Sequence, residues 1–154
     1  MAKGEEENKV SMLANDVIIK WVDSHPDNVV GFGTVQLQDL SIALDTLEYI
    51  KNETSIKGLQ ILTNVNGMEI SDKSLEQFWA KVEEYEFGVM LHLLGFSHGE
   101  RFWNYYLTNV IGKPLDTTVA LHYIIFNGLL ERYPNLKILG VHGGGFLPAY
   151  SGRI

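Results

Sequence analysis

The sequence predicts an α/β fold: a parallel sheet with flanking helices. Three observations carry this reading. Segments of helical and strand character alternate, as one helix, then three strand–helix pairs, then a last strand. Successive strand candidates lie about 30 residues apart, the length of a βαβ unit. The strand candidates are continuous apolar runs rather than alternating ones, the pattern of parallel strands covered on both faces.

The elements follow in order. The polar stretch 1–9 is expected to fray. Val10, Leu13, Val17 and Trp21 then recur at helical spacing, and the helix is expected to stop before His25-Pro26, because the residue before proline avoids the helical region. Val29 to Val35 is a β-branched run bounded by turn residues, a first strand. Leu40, Ala43, Leu44 and Leu47 mark a helix that Asp39 can cap. Gly58 to Leu62 is a second strand, running into a polar loop with a turn at Asn66-Gly67. Ser71 or Asp72 caps the next helix, whose inner face is Leu75, Phe78, Trp79 and Val82.

Gly88 to Leu94 is a third strand, followed by a loop with Ser97 and His98. Phe102, Trp103, Tyr106, Leu107 and Val110 are expected to line a helix, their rings packed rather than forming a stacking platform. Gly112-Lys113-Pro114 interrupts, and Asp116 or Thr117 caps an apolar helix from Val119 to Leu130. Leu136 to His142 is the fourth strand and ends in Gly143-Gly144-Gly145. No linker or repeat divides residues 1–154, so a single domain is expected.

Composition narrows the function. At 45 % hydrophobic and 20 % charged residues the chain has a globular balance, which argues against wholesale disorder. The formal net charge of −7 disfavours nucleic-acid binding and a basic membrane-surface module, both of which need a field that attracts phosphate. Cysteine is absent, which removes disulfides, thiolate nucleophiles and cysteine-based zinc sites. No apolar run reaches the ~20 residues of a membrane span, and the glutamate-rich start has no apolar signal core, so a cytoplasmic protein is expected.

In parallel α/β folds ligands bind at the carboxyl ends of strands. Those ends carry Gln36 or Gln38, Asn64, Asn66, His92 and His142. Imidazole is both a common metal ligand and a proton carrier near neutral pH. His92 in its apolar run reads either as a core histidine bonded to a carbonyl or as a ligand. His142 before three glycines reads either as part of a tight turn or as a site residue that a substrate can approach closely. Gly140 to Gly145 matches neither phosphate-binding glycine pattern. His25 suits a helix end, His98 a solvated loop and His122 packing, while Arg101 can hold a carboxylate or pair with Glu100 or Asp116. The absence of a G-x-S-x-G elbow leaves a serine-hydrolase mechanism without support.

Several short runs keep one order from Ser24 to Ile154. They are Ser24-His25-Pro26 with Val30 to Gln36, Lys57 to Ile61 with Asn64-Val65-Asn66-Gly67, Leu91-His92, and Arg101 with Tyr106-Leu107. Others are Ile111 to Thr118, Gly128 to Pro134, Leu136-Lys137-Ile138, His142 to Pro148, and Gly152-Arg153-Ile154. Taken together, these ordered runs resemble the amidohydrolase-related family, whose members include amino-carboxymuconate-semialdehyde and resorcylate-type decarboxylases.

The resemblance implies a partial (β/α)₈ TIM barrel, about strands 3–6 of 8. It implies one divalent ion, commonly zinc, with His92 as the fifth-strand metal ligand and His142 as the sixth-strand catalytic residue in proton transfer. Leu93 stands where members usually carry proline, the tryptophan that some decarboxylases carry near Asn109 is missing, and neither a His-x-His pair nor an eighth-strand aspartate is present. A closed barrel needs roughly 250 residues, so these residues are expected to be the middle of a domain.

The function implied is a non-oxidative decarboxylase of an aromatic or dienoic carboxylate. The alternatives are a metal-dependent hydrolase of an amide, ester or lactone, and an inactive fragment or interaction module. With one proposed metal ligand the isolated chain is expected to be inactive, and its open sheet edges invite self-association.

Overall fold

The structure is a computed structural model that describes residues 5–93 and 99–153. The helix α1 (Glu5–Ser24) begins inside the polar stretch expected to fray and stops before His25 as expected. There follow β1 (Phe32–Thr34), α2 (Leu40–Glu53) and β2 (Gly58–Ile61). A short antiparallel hairpin of β3 (Asn64–Val65) and β4 (Met68–Glu69) turns at Asn66 and Gly67, both at positive φ, where asparagine and glycine are the favoured residues. Then come α3 (Glu76–Glu84), β5 (Gly88–Leu91), α4 (Lys113–Phe126), α5 (Leu129–Arg132) and β6 (Lys137–Gly140).

Strands β1, β2, β5 and β6 form a parallel sheet in that order, the succession expected of consecutive strand–helix units. Its register aligns Leu59 with Val89 and Ile138, and Gln60 with Met90 and Leu139. The first row belongs to the face packed on the helices. There the core gathers Ala43, Leu47 and Ile50 of α2, Phe78, Trp79 and Val82 of α3, and Ile124 of α4. Asp39 caps α2 as expected, accepting from the backbone N–H of Ser41 at 3.0 Å and of Ile42 at 3.2 Å. Asp72 caps the short 3₁₀ turn that leads into α3. Trp79 edges onto Phe78 and donates its indole N–H to the Ile70 carbonyl at 2.7 Å.

The second row lies on the other face, and this chain does not bury it: Gln60 and Leu139 are exposed. The expectation of strands covered on both faces therefore holds on one face only. Near the amino ends of the strands, Phe32 lies across Gly58, where a Cβ would collide with its ring, and touches the space beside Gly88 at ordinary contact distance.

Three expectations need correction. The stripe Val10, Leu13, Val17 and Trp21 does not face the sheet; these residues are 61–66 % exposed. Instead α1 turns Asn15 and Ser11 inward. Asn15 donates to the Thr34 carbonyl at 3.0 Å and accepts from the Thr34 N–H at 2.8 Å, while Ser11 accepts from Gln36 at 2.7 Å. Ile18 and Val22 on the same side pack against Gly31, so this roll both satisfies the backbone of β1 and buries an apolar edge.

Second, Phe102 to Val110 is no α-helix. Tyr105 and Tyr106 take left-handed backbone, which ends any helix there, and both rings are exposed, as is Trp103. Third, Lys113-Pro114 starts α4 rather than interrupting, since proline in the first turn gives up no helical hydrogen bond. Asp116 and Thr117 are thus inside α4, which stops at Phe126 before a left-handed Gly128.

Candidate active site

The carboxyl ends of β5 and β6 bring two histidines together across 50 residues of sequence. His92 sits one residue beyond β5, and its backbone N–H extends the ladder to the Ile61 carbonyl at 2.9 Å. β6 ends at Gly140, so His142 is not in the strand as expected but in the turn that follows. Its backbone is left-handed (φ 55°, ψ 35°), as is that of Gly143. The glycines after it accept positive φ at little cost, and the chain folds back over the sheet end. The two imidazole rings lie with centroids 5.8 Å apart, tilted by 42°.

The first turns of α4 hold this site from the side. The Thr117 hydroxyl lies 3.0 Å from His142 Nδ1. Thr118 Oγ1 accepts from the Phe146 N–H at 2.7 Å and donates to the Pro114 carbonyl at 2.7 Å. Asp116 accepts a short hydrogen bond from Thr63, just beyond β2. One helical turn therefore ties together the ends of two strands.

Electrostatics follow from this crowding. His142 is exposed, yet neighbouring atoms remove part of its hydration. That desolvation, then His92 and Lys113, hold it below the usual histidine range. Glu69 is pushed above the usual carboxyl range, first by burial and then by the charge of Asp116.

The other sequence candidates lie apart. Gln36 is tied to Ser11 of α1, and Asn64 Oδ1 accepts from the Gly67 N–H at 3.0 Å within its own hairpin. A shallow cavity of about 230 Å³ lies over the ends of β1 and β2, lined by Gln36, Gln38, Gln60 and Asn64, without either histidine of the pair. His25 Nδ1 bonds the Trp21 carbonyl at the end of α1, and His122 bonds the Thr118 carbonyl within α4. Arg101 is exposed and makes no ion pair among the described residues; Asp116 takes Thr63 instead. His98 lies outside the described residues. Thr117, expected with Asp116 as an alternative helix cap, lies inside α4 and contacts His142, a role not expected from the sequence. The run Asp116-Thr117-Thr118, polar at the head of an apolar helix, was the available signal.

Imidazole nitrogens suit a divalent ion such as zinc, which takes about four ligands. No group of three or more histidines or carboxylates converges among the described residues. They fit a metal only as part of a larger ligand set. No helix among them is long and apolar enough to cross a membrane.

Comparison with known proteins identifies the family and the fold. The Amidohydrolase family profile matches residues 1–153. The 2-amino-3-carboxymuconate-6-semialdehyde decarboxylase of Dictyostelium discoideum is 31 % identical over 99 % of this chain and 43 % of its own length. The gamma-resorcylate decarboxylase of Rhodococcus jostii is 25 % identical over 94 % of this chain and 48 % of its own. The chain thus spans about half the length of these curated relatives. Among solved structures, a 5-carboxyvanillate decarboxylase from Novosphingobium aromaticivorans with bound manganese superimposes with a TM-score of 0.88 at 22 % identity. The match covers 99 % of this chain and 45 % of that one. The four parallel strands and their helices correspond to about half of a (β/α)₈ barrel.

Proposed function

The chain belongs to the amidohydrolase family, and from that premise we propose that it is the middle part of a non-oxidative decarboxylase acting on an aromatic or dienoic carboxylate. The observation that carries the reading is the histidine pair, two imidazoles brought within 5.8 Å at the ligand-binding end of a parallel sheet. The names of the relatives, a carboxymuconate-semialdehyde and a resorcylate decarboxylase, supply the substrate class.

In this reading His92 is one ligand of a single divalent ion, zinc, whose other ligands come from strands outside these residues. When bound, the metal supplies a Lewis acid that orients or polarises the substrate. His142 moves the proton. The bond from carbon to carboxylate breaks, carbon dioxide leaves, and the electron pair left on carbon takes a proton relayed through the imidazole. No redox cofactor is needed, because nothing is oxidised. Asn15 of α1 covers the edge of β1, while β6 ends the sheet without a further strand among the described residues, and that edge makes the isolated chain prone to self-association. A cytoplasmic setting agrees with the absence of cysteine.

The test is direct. The enzyme containing this segment, expressed from its complete reading frame, is incubated with 2-amino-3-carboxymuconate-6-semialdehyde and with 2,6-dihydroxybenzoate. Release of carbon dioxide in step with loss of the acid is expected, and the 154-residue chain alone is expected to show none. Hydrolysis of an amide, ester or lactone without carbon dioxide would contradict the reading and favour a metal-dependent hydrolase.

A further inference from the structure

The turn carrying His142 is clamped to α4 from Pro114 to Thr118. Gly145 lies so close to Thr118 and the Pro114 carbonyl that a Cβ there would collide with both. Thr118 holds the Phe146 N–H. Between these two anchors and the sheet, Thr117 is fully buried and directs its hydroxyl at His142 Nδ1.

We infer that Thr117 is a positioning residue for His142: its hydroxyl donates to Nδ1, so the neutral ring carries its proton on Nε2, the nitrogen left to meet a ligand. The functional meaning rests on His142 as the proton carrier; the hydrogen bond itself does not. One observation sets its direction, and a second holds the turn in place. Among the described residues, Nδ1 is the sole hydrogen-bond partner of the Thr117 hydroxyl. A buried O–H without an acceptor is costly, whereas an unused oxygen lone pair is tolerated, so the hydroxyl donates and Nδ1 accepts.

The second is the backbone. A non-glycine residue at φ 55° persists where its surroundings hold it, and here they are Thr117, Thr118 and the close-packed Gly145. The clamp holds the turn, and the Thr117 hydroxyl holds Nδ1. Nε2 makes no hydrogen bond among the described residues.

The experiment is ¹⁵N spectroscopy of the His142 ring in the full 154-residue, metal-free chain, recorded at about pH 8, above the ordinary histidine range. Wild type and Thr117→Ser are expected to carry the proton on Nε2, with Nδ1 resonating as a hydrogen-bonded acceptor. Thr117→Val, equal in shape but without a donor, is expected to move Nδ1 downfield to the position of an unbonded ring nitrogen. A proton on Nδ1 in the wild type, or an Nδ1 resonance unmoved by Thr117→Val, would overturn the inference. Should the valine variant not fold, the wild-type Nδ1 resonance decides: the unbonded position refutes the bond and the bonded position supports it. Turnover is not read, so a failed decarboxylase assay leaves this result intact, and the reverse also holds.

Discussion

Val89 and Leu139 are apolar residues of comparable shape on strands that pair directly, yet Val89 is 1 % exposed and Leu139 is 55 % exposed. The same contrast separates α3, whose Phe78 and Trp79 are fully buried, from α1, whose apolar stripe is open. The middle of the sheet is closed by α2 and α3 on one face and by strands on both sides. The flanks have strands on one side only, and Leu139 also lies on the face that no helix among the described residues covers. Apolar pattern alone therefore does not set burial here; neighbours do. What the flanks offer instead is polar order. Asn15 pairs with β1, and α4 with the turn after β6, and that second arrangement builds the histidine site.

Substitutions can break or sharpen this contrast. The largest effect is expected in the middle. Trp79→Ala removes a fully buried ring and its hydrogen bond to Ile70, and should cost about 3–5 kcal/mol in urea unfolding. Next is Asn15→Leu, which leaves the N–H and carbonyl of Thr34 without their partner; a loss of about 1–3 kcal/mol is expected. Leu13→Ser, on the open stripe, should change stability by no more than about 0.5 kcal/mol. A cost like that of Trp79 would mean the stripe is covered in solution, and the contrast between middle and flank would fail.

The smallest effect is the pH dependence of the metal-free chain. His142 is held below its ordinary value, so between its folded value and about 6.5 the unfolded chain binds a proton that the folded chain refuses. Stability should therefore rise with pH through that window and stop rising above it. His142→Asn should flatten the rise in urea titrations at successive pH values.

Much of the middle was legible in the sequence because local signals and burial agree there. Asp39 and Asp72 cap where their spacing says, and Phe78, Trp79 and Val82 face inward at helical period. The flanks were less legible for physical reasons. The stripe of α1 has the right period, but the helix turns inward the face of Asn15, Ile18 and Val22, where Asn15 reaches the backbone of Thr34, a contact 19 residues away that no periodicity encodes. The Phe102–Val110 stretch fails as a helix at two tyrosines in left-handed backbone, which tyrosine itself does not signal. At the site, His92 and His142 were found as strand-end residues. Thr117 was not, because its role depends on how α4 lies over a turn 25 residues further on.

The central claim, that one histidine holds metal and the other moves the proton, is tested most directly by metal content and turnover in the enzyme that contains this segment. His92→Ala should lose the bound ion and the activity together. His142→Ala should keep the ion and lose turnover by about 10²-fold or more. Retention of full metal content by His92→Ala, or of wild-type turnover by His142→Ala, would contradict the account.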